Sequence, residues 1–389
     1  MRAPLLREDR VAIVIVAMLD SVHTAQWLQA LDAEGREIVL FPSGPNRRIH
    51  PTIRRLSAPG GSVRLAGPPA GVSLLVWLLD EALRFNLRER WLRRTLRAVN
   101  PRIVHAMETQ HAGYVAVDAL QAIDNHARLI LTLWGSDLNW YARFDKHRRR
   151  IKAVLARCDL LIAECQRDLA TARTIHPVRR ESLFRSMTGG ISTAEFFDIG
   201  TYAPPSRRTQ ICVKGYSGFM GRAPLALRSV VEVVRRQRGW SIVVYAASWR
   251  VWLLGQWLRY RHGILLRVHR KGTMSRTQVV EMFQKSRIAV MISRSDGLPA
   301  TLKESMLYGA IPVMARTSCA SEILQDRDGL VEITEIGLST LVTTIGGVLD
   351  PSCPVDEWAR SNRERVADVF NAQAFHQMVS ETYRDVLLT

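Results

Sequence analysis

The feature that most constrains this chain is a repeated alternation: short apolar runs rich in Val, Ile and Leu, each followed by a longer amphipathic stretch. The runs fall at Val11 to Ala17, Glu37 to Phe41, Arg102 to Ala106, Leu129 to Leu133 and Asp159 to Ala163. A second group follows at Ile211 to Lys214, Ser241 to Tyr245, Ile264 to Val268, Ile288 to Ile292 and Ile311 to Ala315. Uninterrupted runs of this kind suit strands buried on both faces, and parallel strands need a crossover between them, usually a helix. The pattern predicts an α/β architecture. At 389 residues the chain exceeds what one hydrophobic core supports, so the two groups are read as two domains. Phe197 to Gln210, with Gly200, Pro204 and Pro205 and no periodicity, reads as the linker. On this reading the domains span 1–198 and 199–354, and a helical tail over 355–389 crosses back to the first.

Composition excludes several classes. With 47% hydrophobic and 23% charged residues the chain is not disordered. No apolar run reaches the roughly 20 residues of a membrane-spanning helix, and MRAPLLREDR is not a secretory signal. The cysteines, Cys158, Cys165, Cys212, Cys319 and Cys353, are odd in number and lack metal-site spacing, which points to reduced thiols and a cytoplasmic location. The formal charge of +18 favours anionic partners. No nucleic-acid motif accompanies the arginines, so nucleic acid is not expected among the partners.

The chemistry concentrates in Ser293 to Val313, SRSDGLPATLKESMLYGAIPV, directly after the run Ile288 to Ile292. Gly297 allows a tight loop, Pro299 suits the first position of a helix, and Gly309 suits its end. Such a junction aims backbone amides and the positive end of a helix at one spot, a seat for phosphate. Asp296 and Glu304 bracket that spot. Carboxylates there accept hydrogen bonds from hydroxyls, so phosphate flanked by hydroxyl-bearing rings is expected, as in a sugar nucleotide. Upstream, VKGYSGFMGRA supplies Lys214 and Arg222, cations for a diphosphate leaving group; each alone reads equally as a solvated basic residue.

Ser293 to Val313 resembles the retaining family 4 glycosyltransferases of the GT-B fold, whose mark is a Glu-x7-Glu motif; here Asp296-x7-Glu304 keeps the spacing with aspartate first. The resemblance implies an α/β fold of two Rossmann-like domains facing each other across a cleft, the first binding the acceptor and the second the nucleotide sugar. It implies that Glu304 binds the ribose, that Asp296 contacts the donor sugar beside Ser295, Gly297, Leu298 and Pro299, and that Lys214 and Arg222 clamp the diphosphate. The loop Arg270-Lys271-Gly272, before the Ser275/Gln278 capping box, is expected near the base. His23, after the first run, falls where the family closes over donor and acceptor, though a backbone-bonded loop histidine is the alternative. Glu108, His111, Trp134 and Asp137 resemble acceptor-side loops. Trp134 stands where many members carry histidine, and Asp137 reads as a cap for the following helix. No metal and no cofactor are expected beyond the substrate, a UDP-sugar or GDP-sugar.

Two segments, Arg84 to Arg97 and Trp249 to Arg261, interleave arginine with Trp and Leu. Each fits a helix packing its apolar side on its own sheet. Together with the charge they also predict peripheral contact with the anionic inner face of the cytoplasmic membrane, suiting a glycan or lipid-linked acceptor in cell-envelope polysaccharide or glycolipid synthesis. The functional expectation is a metal-independent retaining hexosyltransferase; the alternative is a noncatalytic sugar-nucleotide-binding or membrane-docking scaffold.

Overall fold

The computed structural model describes residues 13–32, 36–45, 48–83, 85–123, 125–187, 189, 203–323 and 331–388. Contacts divide the chain into two compact units, Met1–Gly190 with Ala372–Thr389, and Ile191–Asn371. Both are α/β with a parallel sheet.

In the first unit the strands are β1 (Ile13–Ala17), β2 (Ile38–Pro42), β3 (Val63–Leu65), β4 (Ile103–Met107), β5 (Arg128–Thr132), β6 (Leu160–Ala163) and β7 (Glu181–Leu183). They lie in the order β3-β2-β1-β4-β5-β6-β7, with Ile13 of β1 opposite both Ile38 and Ile103. The second unit carries β8 (Gln210–Lys214), β9 (Ser241–Ala247), β10 (Leu266–Arg270), β11 (Ser286–Met291), β12 (Ile311–Ala315) and β13 (Val331–Ile333), ordered β10-β9-β8-β11-β12-β13. Strand order reverses between β1 and β4 in one sheet and between β8 and β11 in the other. At such switch points the loops leaving the carboxyl ends diverge and open a crevice. Lys214 ends β8, Arg222 and Asp296 lie in the loops after β8 and β11, and Glu304 stands in the helix that follows β11.

Each apolar run is buried because helices cover both faces of its sheet. One face of the first sheet packs Val14, Val39, Val104 and Leu131 under the helices Leu87–Val99 and Asp145–Arg157. The other packs Ile13, Ile15 and Ile130 with Trp27 and with Phe375, Val379 and Tyr383 of the helix Ala372–Leu388. That last helix is tied down by a buried polar chain. The Trp27 indole donates to the Tyr383 hydroxyl (2.8 Å), Tyr383 bonds His105 Nδ1 (2.6 Å), and His105 Nε2 meets the Thr132 hydroxyl (2.7 Å). Indole can only donate, so the Tyr383 oxygen accepts from it, and both imidazole nitrogens are engaged by hydroxyls. Burial drives the His105 pKa down to about 3, so the ring is neutral.

The structure departs from the sequence reading in several places. The edge strands β3, β7 and β13 have three residues each and no apolar run long enough to announce them. Strand β10 begins at Leu266 rather than Ile264, because pairing with β9 starts at Leu266 opposite Ile242. Of the expected linker, 197–202 lie outside the described residues, as do the expected boundary at 198/199, residues 11 and 12 of the first run, and Arg84. Pro204 to Arg208 is packed into the second unit. The buried Arg208 guanidinium donates to the carbonyls of Ala203 (2.8 Å), Phe283 (3.3 Å), Ser286 (3.1 Å) and Tyr308 (3.0 Å). The expected tail is divided: Val355–Val369 belongs to the second unit and Ala372–Leu388 to the first. The basic segment after Arg84 forms the helix Leu87–Val99, whose Leu92 and Leu96 are buried and whose Trp91 packs on the core, while Phe85 ahead of the helix is exposed.

Candidate functional site

In the second unit the polar residues gather at the β8/β11 switch point. Lys214, the last residue of β8, has Nζ 3.8 Å from Asp296 Oδ2, both partly exposed. The loop after β8 is stitched to the loop after β11 by an antiparallel bridge, Gly221 with Ser293, and by Arg222 N–H to Ile292 O (3.0 Å) and Arg294 N–H to Met220 O (2.7 Å). Gly221 permits this close turn, since a Cβ there would collide with the Tyr216 carbonyl. The loop glycines thus serve tight packing rather than looseness. Arg222 precedes the helix Ala223–Arg236, and its Nε is buried with no hydrogen-bond partner among the described residues. A buried guanidinium nitrogen without an acceptor is costly unless an anion arrives.

Asp296 is held from several sides. Its amide donates to Thr317 O (3.2 Å), and its Oδ1 accepts from the amide of Gly297 (3.1 Å). The Gly297 amide is therefore directed at Asp296 itself, which corrects its reading as an open phosphate donor. Ser295 and Leu298 are buried beside it. Pro299 sits at the N-cap, one position earlier than expected, and the helix runs Ala300–Leu307. Glu304 lies one turn in, and its Oε1 is paired with Arg276 Nη1.

Arg276 is a residue that the sequence reading does not single out. It is the first residue of the helix Arg276–Lys285, whose capping box is complete: Gln278 N–H donates to the Ser275 hydroxyl (3.2 Å) and Ser275 N–H to Gln278 Oε1 (2.8 Å). The Ser-x-x-Gln pattern located that helix start, and the residue after the cap is the one aimed at Glu304. Arg270 ends β10, and Lys271 and Gly272 form the turn toward this helix, with the Lys271 amide donating to Ala247 O (3.0 Å). Tyr245, at the carboxyl end of β9, is buried. Burial, then the Cys212 thiol and the Glu304 carboxylate, push its phenol upward, so it stays a neutral hydroxyl.

In the first unit the candidates gather at the ends of β1, β4 and β5. The Ser21 hydroxyl accepts from the amides of His23 (3.2 Å) and Thr24 (3.4 Å) and so caps the helix Val22–Asp32. This leaves the His23 ring to pack against Trp134, centroids 4.7 Å apart. Asp137 is buried and caps not the helix that follows it in sequence but the helical turn Thr109–Gly113, whose first amide donates to it. Its Oδ2 accepts from Thr109 N–H (2.8 Å), the Thr109 hydroxyl (3.1 Å) and Trp134 N–H (3.1 Å), tying the β4 and β5 loops together. The reading of Asp137 as a cap for the following helix is corrected because the chain after it forms turns and only a single 3-10 turn, Tyr141–Arg143. Burial pushes the Asp137 carboxyl up to about 7.

Glu108 is the most constrained residue of this group. It follows β4 with φ at +112°, a backbone strain that a side chain other than glycine adopts rarely. It is buried, with Oε1 unpartnered among the described residues. Burial first, and then the Asp137 charge, raise its carboxyl to about 8. Arg88, unread in the sequence, acts on both Glu108 and His111; it is anchored by Asp80 (Nε to Oδ2, 3.2 Å) and the Ser43 carbonyl (3.1 Å). Burial, and then Arg88, lower the His111 pKa. Glu108 and His111, in the chain leaving β4, are thus both pushed toward their neutral forms.

No protein-family model matches the chain, and no curated protein matches it. Solved structures do. Sucrose-phosphate synthase from Thermosynechococcus elongatus aligns over 97% of this chain and 100% of its own, with a TM-score of 0.73 at 13% identity. Anabaena HepE, solved in complex with UDP-glucose, aligns over 96% and 100%, TM-score 0.68 at 12% identity. A UDP-forming trehalose-phosphate synthase from Burkholderia xenovorans aligns over 97% and 99%, TM-score 0.65 at 13% identity. At these identities the likeness establishes the fold: α/β with two Rossmann-like domains, as in the GT-B glycosyltransferases.

Proposed function

We propose that the protein transfers a sugar from a UDP- or GDP-sugar to an acceptor hydroxyl, with retention at the anomeric carbon and without a metal ion. The observation that carries the reading is the conjunction, at one topological switch point, of Lys214 against Asp296, Arg276 against Glu304, and an Arg222 nitrogen that lacks an acceptor. Charge of both signs is needed there because the donor presents both anionic phosphates and neutral hydroxyls. In the reaction the bond from C1 to the diphosphate oxygen breaks and negative charge grows on the departing diphosphate, while the acceptor hydroxyl, approaching on that same face, bonds through its oxygen to C1 and gives up its proton to the departing diphosphate oxygen. Lys214 and Arg222 stabilise that charge, replacing a metal. Asp296 holds the sugar hydroxyls. A carboxylate offers about four acceptor sites, so Glu304 takes the ribose hydroxyls while keeping Arg276. The acceptor, a glycan or a lipid-linked sugar at the cytoplasmic face of a membrane, approaches the group formed by His23, Glu108, His111 and Trp134. The UDP and UDP-glucose complexes of HepE support a nucleotide-sugar donor.

A noncatalytic sugar-nucleotide-binding scaffold is the second reading, favoured by Trp134, which stands where many family 4 members carry histidine and packs on His23. Two measurements separate them. Melting curves with UDP, GDP and their sugars are expected to show stabilisation by one base series, about 2.7 kcal/mol at a hundredfold excess over Kd. Nucleoside diphosphate release from the matching sugar nucleotide should then appear and disappear in Glu304→Ala. Binding without release under any acceptor favours the scaffold; no stabilisation by either series removes both.

A further inference from the structure

Between Glu232 and Glu281 the sequence contains ten Lys and Arg and no Asp or Glu. This acid-free segment builds one edge of the second sheet: β9, the helix Trp249–His262, and β10, which is the edge strand. The helix rests on β10 through a narrow stripe of Val251, Gly255 and Leu258. Gly255 is needed for that approach, since a Cβ there would strike the Val268 side chain. Seated so low and so narrowly, the helix leaves its bulkiest residues outside. Trp249, Trp252, Leu253, Trp257 and Tyr260 are exposed, Tyr260 at 92%, and Leu265 just beyond the helix at 75%. Arg250, Arg259, Arg261, Arg267 and Arg270 are exposed around them.

We propose that this face docks on an anionic lipid bilayer. The chemistry is that of the interface region: Trp and Tyr put an apolar ring into the acyl boundary and a polar atom at headgroup level, while arginines reach anionic headgroups with apolar stems along the surface. A single-stranded nucleic acid would also meet arginine and aromatic rings, but Leu253 and Leu265 have no base to stack on and belong with hydrocarbon. Docking of this face goes beyond the transferase reading and does not depend on it, because the test contains no donor.

The full-length protein is sedimented with vesicles of phosphatidylcholine alone and with phosphatidylglycerol added, at low and high salt. Binding is expected only to the anionic vesicles, weakening with salt as screening shortens. The double variant Trp257→Ala/Tyr260→Ala should bind at least about tenfold more weakly, and Arg261→Gln about fivefold more weakly; both are exposed, and unchanged melting temperatures check that they fold. Three results overturn the proposal. The first is no binding of the parent protein to anionic vesicles at low salt. The second is binding that survives Trp257→Ala/Tyr260→Ala but is lost in Leu75→Glu/Leu78→Glu on the exposed apolar helix Ala70–Leu83. The third is loss, in the Trp257/Tyr260 variant, of oligonucleotide binding or of self-association in place of vesicle binding.

Discussion

The two switch points differ in how they hold their polar groups. In the second unit the groups are paired with opposite charges and remain at least partly exposed: Lys214 with Asp296, Arg276 with Glu304. In the first they are buried and driven toward neutrality: Glu108 and Asp137 raised, His111 lowered. The difference follows from the chemistry each end can serve. Open ion pairs exchange partners at small cost when a phosphate or a sugar arrives, because water already screens them. Buried neutral groups cannot trade a charge so cheaply, and suit discrimination among uncharged hydroxyls, where an unsatisfied partner is penalised. Under the transferase reading, electrostatics belongs to one end and shape with hydrogen bonding to the other.

The largest test of that division is Lys214→Ala. Under the transferase reading the loss of one preorganised donor to the leaving group should lower kcat by about 10²–10³-fold, whereas Glu108→Gln, which keeps a neutral side chain of similar shape, should change kcat only a few-fold and act on acceptor KM. Steady-state kinetics with donor and acceptor varied separately check this; equal losses in both variants would erase the distinction.

Stability sharpens it next, because each unit contains a buried polar tie that joins distant segments. In the second, Arg208 holds the carbonyls of Phe283 and Ser286 at the end of the helix Arg276–Lys285, and that of Tyr308 at the end of the helix Ala300–Leu307. These are the helices that carry Arg276 and Glu304, and a cation at their carboxyl ends also suits their dipoles. Arg208→Met should lower unfolding free energy by about 3 kcal/mol, from several carbonyls left dry. In the first unit Tyr383→Phe strips both the Trp27 indole and His105 Nδ1 of a partner, for about 2 kcal/mol. Urea melts followed by a probe in each unit measure both.

These ties also mark what the sequence could and could not disclose. The parallel sheets were legible because runs such as Ile13–Ala17 and Ile288–Ile292 have no polar face to hide. The Asp296/Glu304 junction was legible because Gly297, Pro299 and Gly309 punctuate it. Arg208 was not: Pro204 and Pro205 announce a linker, and only the long-range carbonyls at 283, 286 and 308 turn the segment inward. Arg276 and Arg88 were hidden in an arginine-rich background, where residue type carries little information about partners. The strain at Glu108 leaves no trace in composition at all.

Titration tests the first unit alone. His105 has a folded pKa of about 3 against an ordinary 6.5, so its contribution is complete above 6.5 and is lost as pH falls toward 3. Glu108, at about 8 against an ordinary 4.5, works in the opposite sense: its contribution is complete below 4.5 and is lost as pH rises through 8. Stability of the first unit should therefore fall on both sides, by at most about 1.4 kcal/mol per pH unit for each group. Asp137, pushed up to about 7, acts in the same sense as Glu108, so Glu108→Gln should make the alkaline limb shallower, leaving the part due to Asp137, and leave the acid limb intact; an unchanged alkaline limb would mean that the Glu108 carboxyl is ionised in the folded protein.

The smallest effect probes how the charged end is aimed. Ser275→Ala removes one half of the capping box and should lower stability by about 1 kcal/mol. Its informative consequence is on Arg276, which stands at the first helical position and reaches Glu304 only while that turn is wound. Fraying there frees Glu304 from its cation without touching either charged side chain. If Glu304 holds the ribose while keeping Arg276, donor KM should rise a few-fold with kcat nearly unchanged, and Ser275→Asp, which restores a cap acceptor, should bring it back. If instead Arg276 blocks Glu304, the same loosening should lower donor KM, and the ion pair would then be a latch on an empty site rather than part of the donor's grip.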